Sequence, residues 1–294
     1  MSKPGQFRAD LPELARNLLK DGPQRVRPTD RRIRVLLNHT YIVDTTKAVH
    51  VWEHIAYPQY YVPTSELRNC IRKDKESIHT ADDTSASPAA AVVELTIAAR
   101  DGVKEFTTDR VLRFSDDPKI GGALSGMIRL EFGSMGKTEM MLETYDSTTD
   151  IFLDQWLEEE VPIYVHPKDP FKRIDILPST RSVEVKIAGK TVAKTTNSVH
   201  LHETYLPARY YVPLSSVDQT VLRKSELVTS CPYKGDAEYY NIVINGEEFK
   251  DLVWYYKVPT HESANIAGLL CFYNEKVDII LDGELLDRPK TFFS

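Results

Sequence analysis

The sequence is poor in cysteine, with only Cys70, Cys231 and Cys271 in 294 residues and no C-x-x-C pair. This scarcity argues against a disulfide framework and against a thiolate zinc site. The chain also lacks an apolar run near the roughly 20 residues that a membrane-spanning helix needs, and its first residues lack the apolar centre of a secretory signal. We therefore expect a soluble cytoplasmic protein that does not act at a membrane.

An excess of positive charge is missing as well, because the formal net charge is −6. Affinity for phosphate backbones depends on many Lys and Arg contacts, so nucleic acid is not an expected partner. No G-x-x-x-x-G-K-[ST] loop occurs, and no Asp-x-Asp follows the Gly-Ser of "FGSMGK" at 132–137 to hold Mg²⁺. We expect no cofactor.

What the sequence does contain is a repeat. The 35 residues from Ile33 match the 35 from Val183 at a constant offset of 150, with eleven identities. A later match, between "LSGMIRLEF" from Leu124 and "IAGLLCFYN" from Ile266, has an offset of 142. The first copy therefore carries about eight extra residues, which we place in the run "TADDTSASPAAA". The identities in the first copy are Val35, Thr45, Thr46, Val49, His50, Glu53, Tyr60, Tyr61, Val62, Pro63 and Ser65.

Within each copy the hydrophobic pattern is mostly that of strands. "SVEVKIAGKTVAKT" alternates around Gly189, and "YNIVINGEEFKDLVWYY" alternates around Asn245-Gly246, so each predicts a hairpin. "SANIAGLLCFYNE" has helical spacing, with Ser263 as a possible N-cap. The predicted fold is mainly β, with two tandem antiparallel domains that each contain one short helix.

Four segments follow from these patterns. Residues 1–30 form an N-terminal extension with a helix in "DLPELARNLLK", for which Asp10 is the candidate N-cap. Residues 31–150 form the first, diverged β domain. Residues 151–180 form an ordered connector, because the segment from Phe152 to Thr180 has four prolines and no glycine. Residues 181–294 form the second β domain.

Five stretches of the second copy resemble the domain of unknown function 427 family, which is sometimes labelled nucleotidyltransferase-like. The resemblance implies a small β-tent-like domain in each copy, the first of them diverged. Relatives with a β-tent fold generally hold zinc with two Cys pairs, which this chain lacks, so hydrophobic packing would replace the metal. The stretches are "HPKDPFKRIDILPSTRSVEV" from His166, "ETYLPARYYVP" from Glu203, "CPYKGDAEYY" from Cys231, "VWYY" from Val253 and "IAGLLCFY" from Ile266.

Residues found only in the second copy are where we expect function. The first copy has Gln59 where the second has Arg209, and it has no counterpart of Cys231 or Lys234. Two cations and several aromatic rings suit a small anionic or aromatic metabolite. We predict catalytic roles for Lys234, Asp236 and Glu203, and ligand contacts from Arg209, Tyr211, Tyr240, Trp254 and Tyr256.

The predicted function is a small-molecule pocket in the second domain, which could extend to proton transfer or isomerisation without a cofactor. The first alternative is a non-enzymatic module that binds a partner protein through exposed aromatics. A further alternative is a nucleotidyltransferase-like enzyme, or a metal-dependent one that uses His200 and His202. "CPYKGDAEYY" can also be a simple turn, and "HPKDP" can be a turn or can place His166 or Asp169 over the pocket. The sequence leaves the oligomeric state open.

Overall fold

The computed structural model describes residues 9–79, 87–100, 102–132 and 155–291. The chain folds as two compact units, residues 1–168 and residues 169–294. We call them unit 1 and unit 2. Each consists of a seven-stranded and a four-stranded antiparallel sheet. The prediction of a mainly β, antiparallel fold with few short helices is confirmed.

Unit 1 builds its seven-stranded sheet in the order β1-β4-β5-β9-β8-β7-β6 and its four-stranded sheet in the order β11-β10-β2-β3. The strands are β1 (Arg25–Pro28), β2 (Ile33–Leu37), β3 (Thr40–Thr45), β4 (Val49–Trp52), β5 (Gln59–Pro63), β6 (Ile71–Ile78), β7 (Ala90–Ile97), β8 (Phe106–Phe114), β9 (Met127–Leu130), β10 (Gln155–Glu158) and β11 (Val161–Ile163).

Unit 2 repeats this topology with the orders β12-β15-β16-β20-β19-β18-β17 and β14-β13-β21-β22. The strands are β12 (Ile174–Ser179), β13 (Val183–Ile187), β14 (Lys190–Thr195), β15 (Ser198–Glu203), β16 (Arg209–Val212), β17 (Leu222–Cys231), β18 (Gly235–Ile244), β19 (Glu247–Tyr256), β20 (Leu270–Phe272), β21 (Asp278–Leu281) and β22 (Glu284–Leu285).

The repeat extends to the hydrogen-bonding register. Arg25 of β1 faces Trp52, and Asp175 of β12 faces His202, so this edge pair keeps the offset of 150. Tyr61 faces Arg129 in unit 1, and Tyr211 faces Cys271 in unit 2. These last two pairs make Arg129 and Cys271 equivalent positions, at the offset of 142.

The segment predicted as a connector supplies strands to both units. Strands β10 and β11 complete the four-stranded sheet of unit 1, because Trp156 of β10 faces Val35 of β2. Strand β12 is an edge strand of unit 2. Strand β1, which lies inside the predicted N-terminal extension, is the matching edge strand of unit 1.

Each seven-stranded sheet buries two faces. Aliphatic side chains from both sheets form one core of each unit, with Val35 and Val93 in unit 1 and Val185 and Val253 in unit 2. On the second face of unit 1, helix α1 (Leu11–Asp21) packs an aliphatic stripe that includes Leu18. On the second face of unit 2, the buried side chains are mostly aromatic. They include Tyr211, Tyr239, Trp254 and Tyr256.

Local predictions have mixed outcomes. The Asp10 cap is confirmed, since its Oδ1 accepts a 2.9 Å hydrogen bond from the Glu13 N–H. Both predicted hairpin turns are confirmed, with positive φ at Gly189 and at Asn245-Gly246. The helix predicted in "SANIAGLLCFYNE" is wrong in part, because a 3-10 helix covers His261–Ile266 and strand β20 follows it. Pairing with β16 and β19 outweighs the local helical spacing. The remaining described helices are α2 (Pro118–Gly121) and short 3-10 turns at Thr64–Glu66, Gly122–Leu124, Leu214–Ser216 and Gln219–Val221.

Candidate functional site

The "CPYKG" stretch is the turn between β17 and β18, and it carries Lys234 inward. Gly235 has φ +95°, and a Cβ there would lie 3.2 Å from the Val258 carbonyl oxygen, so this position requires glycine. The Thr260 N–H donates a 3.1 Å hydrogen bond to the Lys234 carbonyl. The Lys234 side chain is only 11% exposed. The stretch is therefore a tight turn that also fixes a buried lysine.

Lys234 shares the carboxylate of Glu203 with a second lysine. Lys234 Nζ lies 2.5 Å from Glu203 Oε2, and Lys172 Nζ lies 2.9 Å from Oε1. Burial disfavours the charged carboxylate, but the charges and hydrogen bonds of Lys234 and Lys172 outweigh it and lower the pKa of Glu203. Glu203 therefore stays ionised at neutral pH. We call these three residues the Glu203 cluster.

Arg209 is buried nearby and already has an anionic partner. Its guanidinium binds Glu275 with two hydrogen bonds of 2.6 and 2.7 Å, and it also donates to Asn274 Oδ1. Burial would lower the pKa of Arg209, but the Glu275 contacts raise it. The guanidinium lies 5.4 Å from the centroid of the Trp254 ring. Its positive charge is neutralised inside the fold rather than offered to a ligand.

The aromatic side chains form a packed wall. Trp254 Nε1 donates a 3.1 Å hydrogen bond to the Tyr211 hydroxyl, and the two rings meet edge to face at 6.3 Å. Burial raises the pKa of Tyr211 and of Tyr256 well above the usual value, so both remain phenols. Between Tyr211 and Trp254 in the sheet lies Cys271, whose pKa burial raises to about 12 against the opposing charges of Arg209 and Lys234. Both cations are therefore close to one buried thiol.

Two of the predicted site residues do not join this group. Successive strand residues point to opposite faces, so Tyr239 packs with Trp254 while Tyr240 points to the other face. There Tyr240 stacks on Tyr255 at 5.3 Å. Asp236 is exposed and accepts a 2.6 Å hydrogen bond from Ser230. The structure brings together Lys234, Glu203, Arg209, Tyr211, Trp254 and Tyr256.

Sequence reasoning missed three contributors to the site: Lys172, Glu275 and Tyr233. The Asp169 N–H donates a 2.6 Å hydrogen bond to the Tyr233 hydroxyl, and Lys172 Nζ lies 5.1 Å from the Tyr233 ring centroid. The position equivalent to Lys172 in the first copy is Gly22, so the search for residues unique to the second copy could have found Lys172. By the offset of 142 the first copy has Gly133 where the second has Glu275, so the same search could have found Glu275.

The histidines singled out from the sequence have contacts of their own. His166 belongs to unit 1, where its ring stacks on Tyr57 at 4.1 Å. His200 contacts the Ser198 hydroxyl at 3.1 Å, and burial lowers its pKa. His202 is exposed. Among the residues that the structure describes, no group of three or more His, Cys, Asp or Glu side chains could hold a metal ion.

In unit 1 the same carboxylate position is neutralised differently. Glu53, the counterpart of Glu203, binds Arg129 at 2.6 Å and accepts a 3.0 Å hydrogen bond from the Tyr61 hydroxyl. Arg129 is 4% exposed and occupies the position of Cys271 in unit 2. Its pKa is raised, because Glu53 outweighs the effect of burial.

These observations define a mainly β protein made of two copies of one antiparallel unit, each with a buried, neutralised glutamate at the end of an equivalent strand. The chain belongs to the family described as "Domain of unknown function (DUF427)", whose model matches residues 25–89 and 175–283, more than half of the chain. The two matched segments begin at equivalent positions, in β1 and β12. A comparison with the curated proteins finds no match. None of the helices in the described residues is long and apolar enough to cross a membrane.

Proposed function

We propose that unit 2 binds a small anionic metabolite through Lys172 and Lys234. The observation that carries the proposal is that two nearly buried ammonium groups converge on one carboxylate, that of Glu203. An ammonium group has three N–H donors, and each lysine gives one to Glu203. The remaining donors suit a carboxylate or phosphate that bridges the two lysines. The sequence predicted that Arg209 and Lys234 together bind the anion. We replace Arg209 by Lys172 in this role, because Arg209 forms an ion pair with Glu275.

The surroundings of the lysines support a ligand with an apolar or aromatic body. Lys172 and Lys234 retain 12% and 11% side-chain exposure, so solvent reaches both. Phe171 lies on the loop that carries Lys172, Tyr205 lies on the loop that follows Glu203, and both are exposed. The Thr204 N–H binds the Arg173 carbonyl at 3.0 Å, which joins these two loops. A ligand anion on the lysines would leave its body against these rings.

The test is a binding screen on the whole protein with small carboxylates and phosphates that carry an aliphatic or aromatic group. We expect at least one compound to raise the melting temperature, and Lys172→Gln to weaken its binding about tenfold, as loss of a charge-assisted hydrogen bond does. Lys234 still neutralises Glu203 in this variant, so the fold is retained. Lys190→Gln is the matched control, because Lys190 pairs with Asp218 at the surface. Unchanged binding in Lys172→Gln would overturn the proposal, as would a screen without any binder.

Proton transfer or isomerisation of the bound metabolite is the reaction class that these residues support. The Glu203 carboxylate, which its lowered pKa keeps ionised, would accept the carbon-bound proton, and the Lys234 ammonium would donate a proton to the product. Asp236 has no part in this scheme because it is exposed on the opposite face. We expect a confirmed ligand to exchange a carbon-bound proton with D₂O only when Lys234 is present. Exchange at the same rate in Lys234→Gln would contradict the catalytic role and leave the binding role intact.

A second candidate, a site for a partner protein, is favoured by one observation. Tyr205 and Val258 are 73% and 79% exposed, and the turn that bears Lys234 is bound to the loop of Val258 through Thr260. Large exposed apolar side chains around one site also suit a protein surface. The variant Tyr205→Ser with Val258→Ser separates the two functions. If this variant no longer binds a partner protein but still binds the small anion, the result would favour this candidate.

A further inference from the structure

Unit 1 has a groove of its own, on the face of the seven-stranded sheet that also contributes to the aliphatic core. Its volume is about 800 Å³, which is ample for a small organic molecule. The floor is Val93 of β7, and the walls include Arg72 and Asp74 of β6, Arg113 of β8 and Asp116 just after β8. All of these residues belong to the copy that we predicted to be the diverged one.

The corresponding place in unit 2 is filled by stacked tyrosines. Asp74 faces Val93 across β6 and β7, and Lys224 faces Tyr240 across β17 and β18, so Val93 and Tyr240 are equivalent. By the offset of 142, Tyr255 is the equivalent of Arg113. In unit 2 the Tyr240 and Tyr255 rings stack, and Lys224 Nζ lies 5.4 and 4.7 Å from their centroids. The groove of unit 1 exists because smaller or charged side chains replace these rings.

The polar groups of the groove are not all satisfied within the fold. Arg113 and Asp74 form an ion pair at 2.6 Å and neutralise each other. To the residues that the structure describes, Arg72 donates one long hydrogen bond, of 3.3 Å to the Thr64 carbonyl. Within the described part of the chain, the Asp116 carboxylate has no ion pair, and the buried Thr64 hydroxyl has no hydrogen-bond partner. Arg72 and Asp116, which line the groove, therefore have hydrogen-bonding capacity left.

From this arrangement we infer that the groove of unit 1 binds a small zwitterion, namely an α-amino acid or a dipeptide with free termini. The ligand carboxylate bonds to Arg72, since guanidinium groups bind carboxylates with parallel hydrogen bonds. The ligand ammonium bonds to Asp116. A short hydrogen-bonded path connects the two groups: Arg72 bonds to the Thr64 carbonyl, the Thr64 N–H to the Gly126 carbonyl, and the Gly126 N–H to the carbonyl of Ser115, which precedes Asp116.

The test is calorimetric titration of the whole protein with leucine and with glycylleucine, which distinguishes an amino acid from a dipeptide. The matched probes are the N-acetylated and the C-amidated forms of the same compounds, each of which lacks one charge. We expect one of the two free zwitterions to bind, and each capped form to bind about tenfold or more weakly, as loss of a charge-assisted contact predicts. No binding by either zwitterion, or equal binding by the capped forms, would overturn the inference.

Two variants assign the ends of the ligand. Arg72→Gln should weaken binding of the free zwitterion about tenfold and leave the C-amidated form unchanged. Asp116→Asn should weaken the free zwitterion and leave the N-acetylated form unchanged. Both residues lie near the surface, so the fold tolerates the changes. Lys73→Gln, on the same strand as Arg72, is the control and should change nothing. A uniform effect of Arg72→Gln and Asp116→Asn on all probes would contradict the assignment.

Discussion

Glu53 and Glu203 occupy the same position in two copies of one fold, yet their charges are neutralised in different ways. Glu53 receives a guanidinium from Arg129, on a strand of the same sheet, and the Tyr61 hydroxyl completes its bonding. Glu203 receives two ammonium groups from outside the sheet, one before β12 and one in the β17–β18 turn. A partner on a strand closes the site, whereas partners on loops leave donors within reach of solvent. A buried carboxylate is therefore neutralised in both units, but only in unit 2 do the cations come from loops.

The largest expected effect comes from removal of the cation in unit 1. Arg129→Leu leaves Glu53 buried and uncompensated, which should destabilise unit 1 by about 3–5 kcal/mol. Lys234→Leu should cost less in unit 2, because Lys172 still binds Glu203. Hydrogen exchange followed by mass spectrometry measures the two units separately through their own peptides. Equal losses in the two variants would contradict the comparison.

A smaller effect concerns Tyr61 and Tyr211, which occupy equivalent positions in the two units. The double-mutant cycle of Tyr61→Phe with Glu53→Gln should show a coupling of about 0.5–3 kcal/mol, because the two side chains share a hydrogen bond. The same cycle with Tyr211→Phe and Glu203→Gln should be additive to within about 0.5 kcal/mol, since Tyr211 bonds to Trp254 instead. Urea unfolding of the four variants in each cycle measures both values. Strong coupling in the second cycle would show that Glu203 accepts a hydrogen bond from Tyr211, as Glu53 does from Tyr61.

The pH dependence of stability provides a third comparison. The pKa of Glu203 is lowered in the fold, so its ionised form stabilises unit 2 above the unfolded pKa of glutamate, about 4.3. This contribution is lost as the pH falls through the folded pKa. Glu203→Gln should therefore flatten the acid side of the stability profile, while Glu226→Gln, at an exposed position, should leave its slope unchanged. An unaltered slope in Glu203→Gln would argue against the two-lysine arrangement.

The smallest effect is on thiol reactivity. Cys271 is fully buried where unit 1 has Arg129, and its pKa of about 12 keeps it protonated. Iodoacetamide should modify Cys271 only in denaturant, whereas the partly exposed Cys231 should react in the folded protein. Peptide mass spectrometry measures both rates. Fast modification of Cys271 under native conditions would mean that the packed wall of unit 2 opens.

The sequence predicted much of the fold, because a repeat and local alternation can both be recognised without knowing which distant residues touch. The constant offset revealed the duplication, and alternating residues around Gly189 and Asn245-Gly246 predicted the hairpins. The strand at Leu270–Phe272 was missed because its residues also have helical spacing, and only pairing with β16 and β19 makes it a strand.

The site was less predictable, for a different reason. Arg209 looked free because its partner, Glu275, lies 66 residues further along the chain. Tyr239 and Tyr240 are adjacent and point to opposite faces, and the sequence does not tell which face carries the site. Contacts between residues far apart in the sequence determine both the partner of Arg209 and the face that carries the site, and local sequence patterns do not reveal such contacts.

The matching registers of β1 and β12 have a consequence for how the chain folds. Each is an edge strand, and β1 pairs with β4 as β12 pairs with β15. Pro28 ends β1, and Pro178 lies at the same register in β12. During synthesis β4 is complete before β12 appears. On refolding from denaturant, both edge strands can compete for β4 and for β15. Arg25 and Asp175 carry opposite charges at equivalent positions, and the Arg25 guanidinium lies 5.5 Å from the centroid of the Trp52 ring, so we expect this difference to favour the correct pairing. If Arg25 and Asp175 were given the same charge, we expect the refolding yield to fall before other properties change.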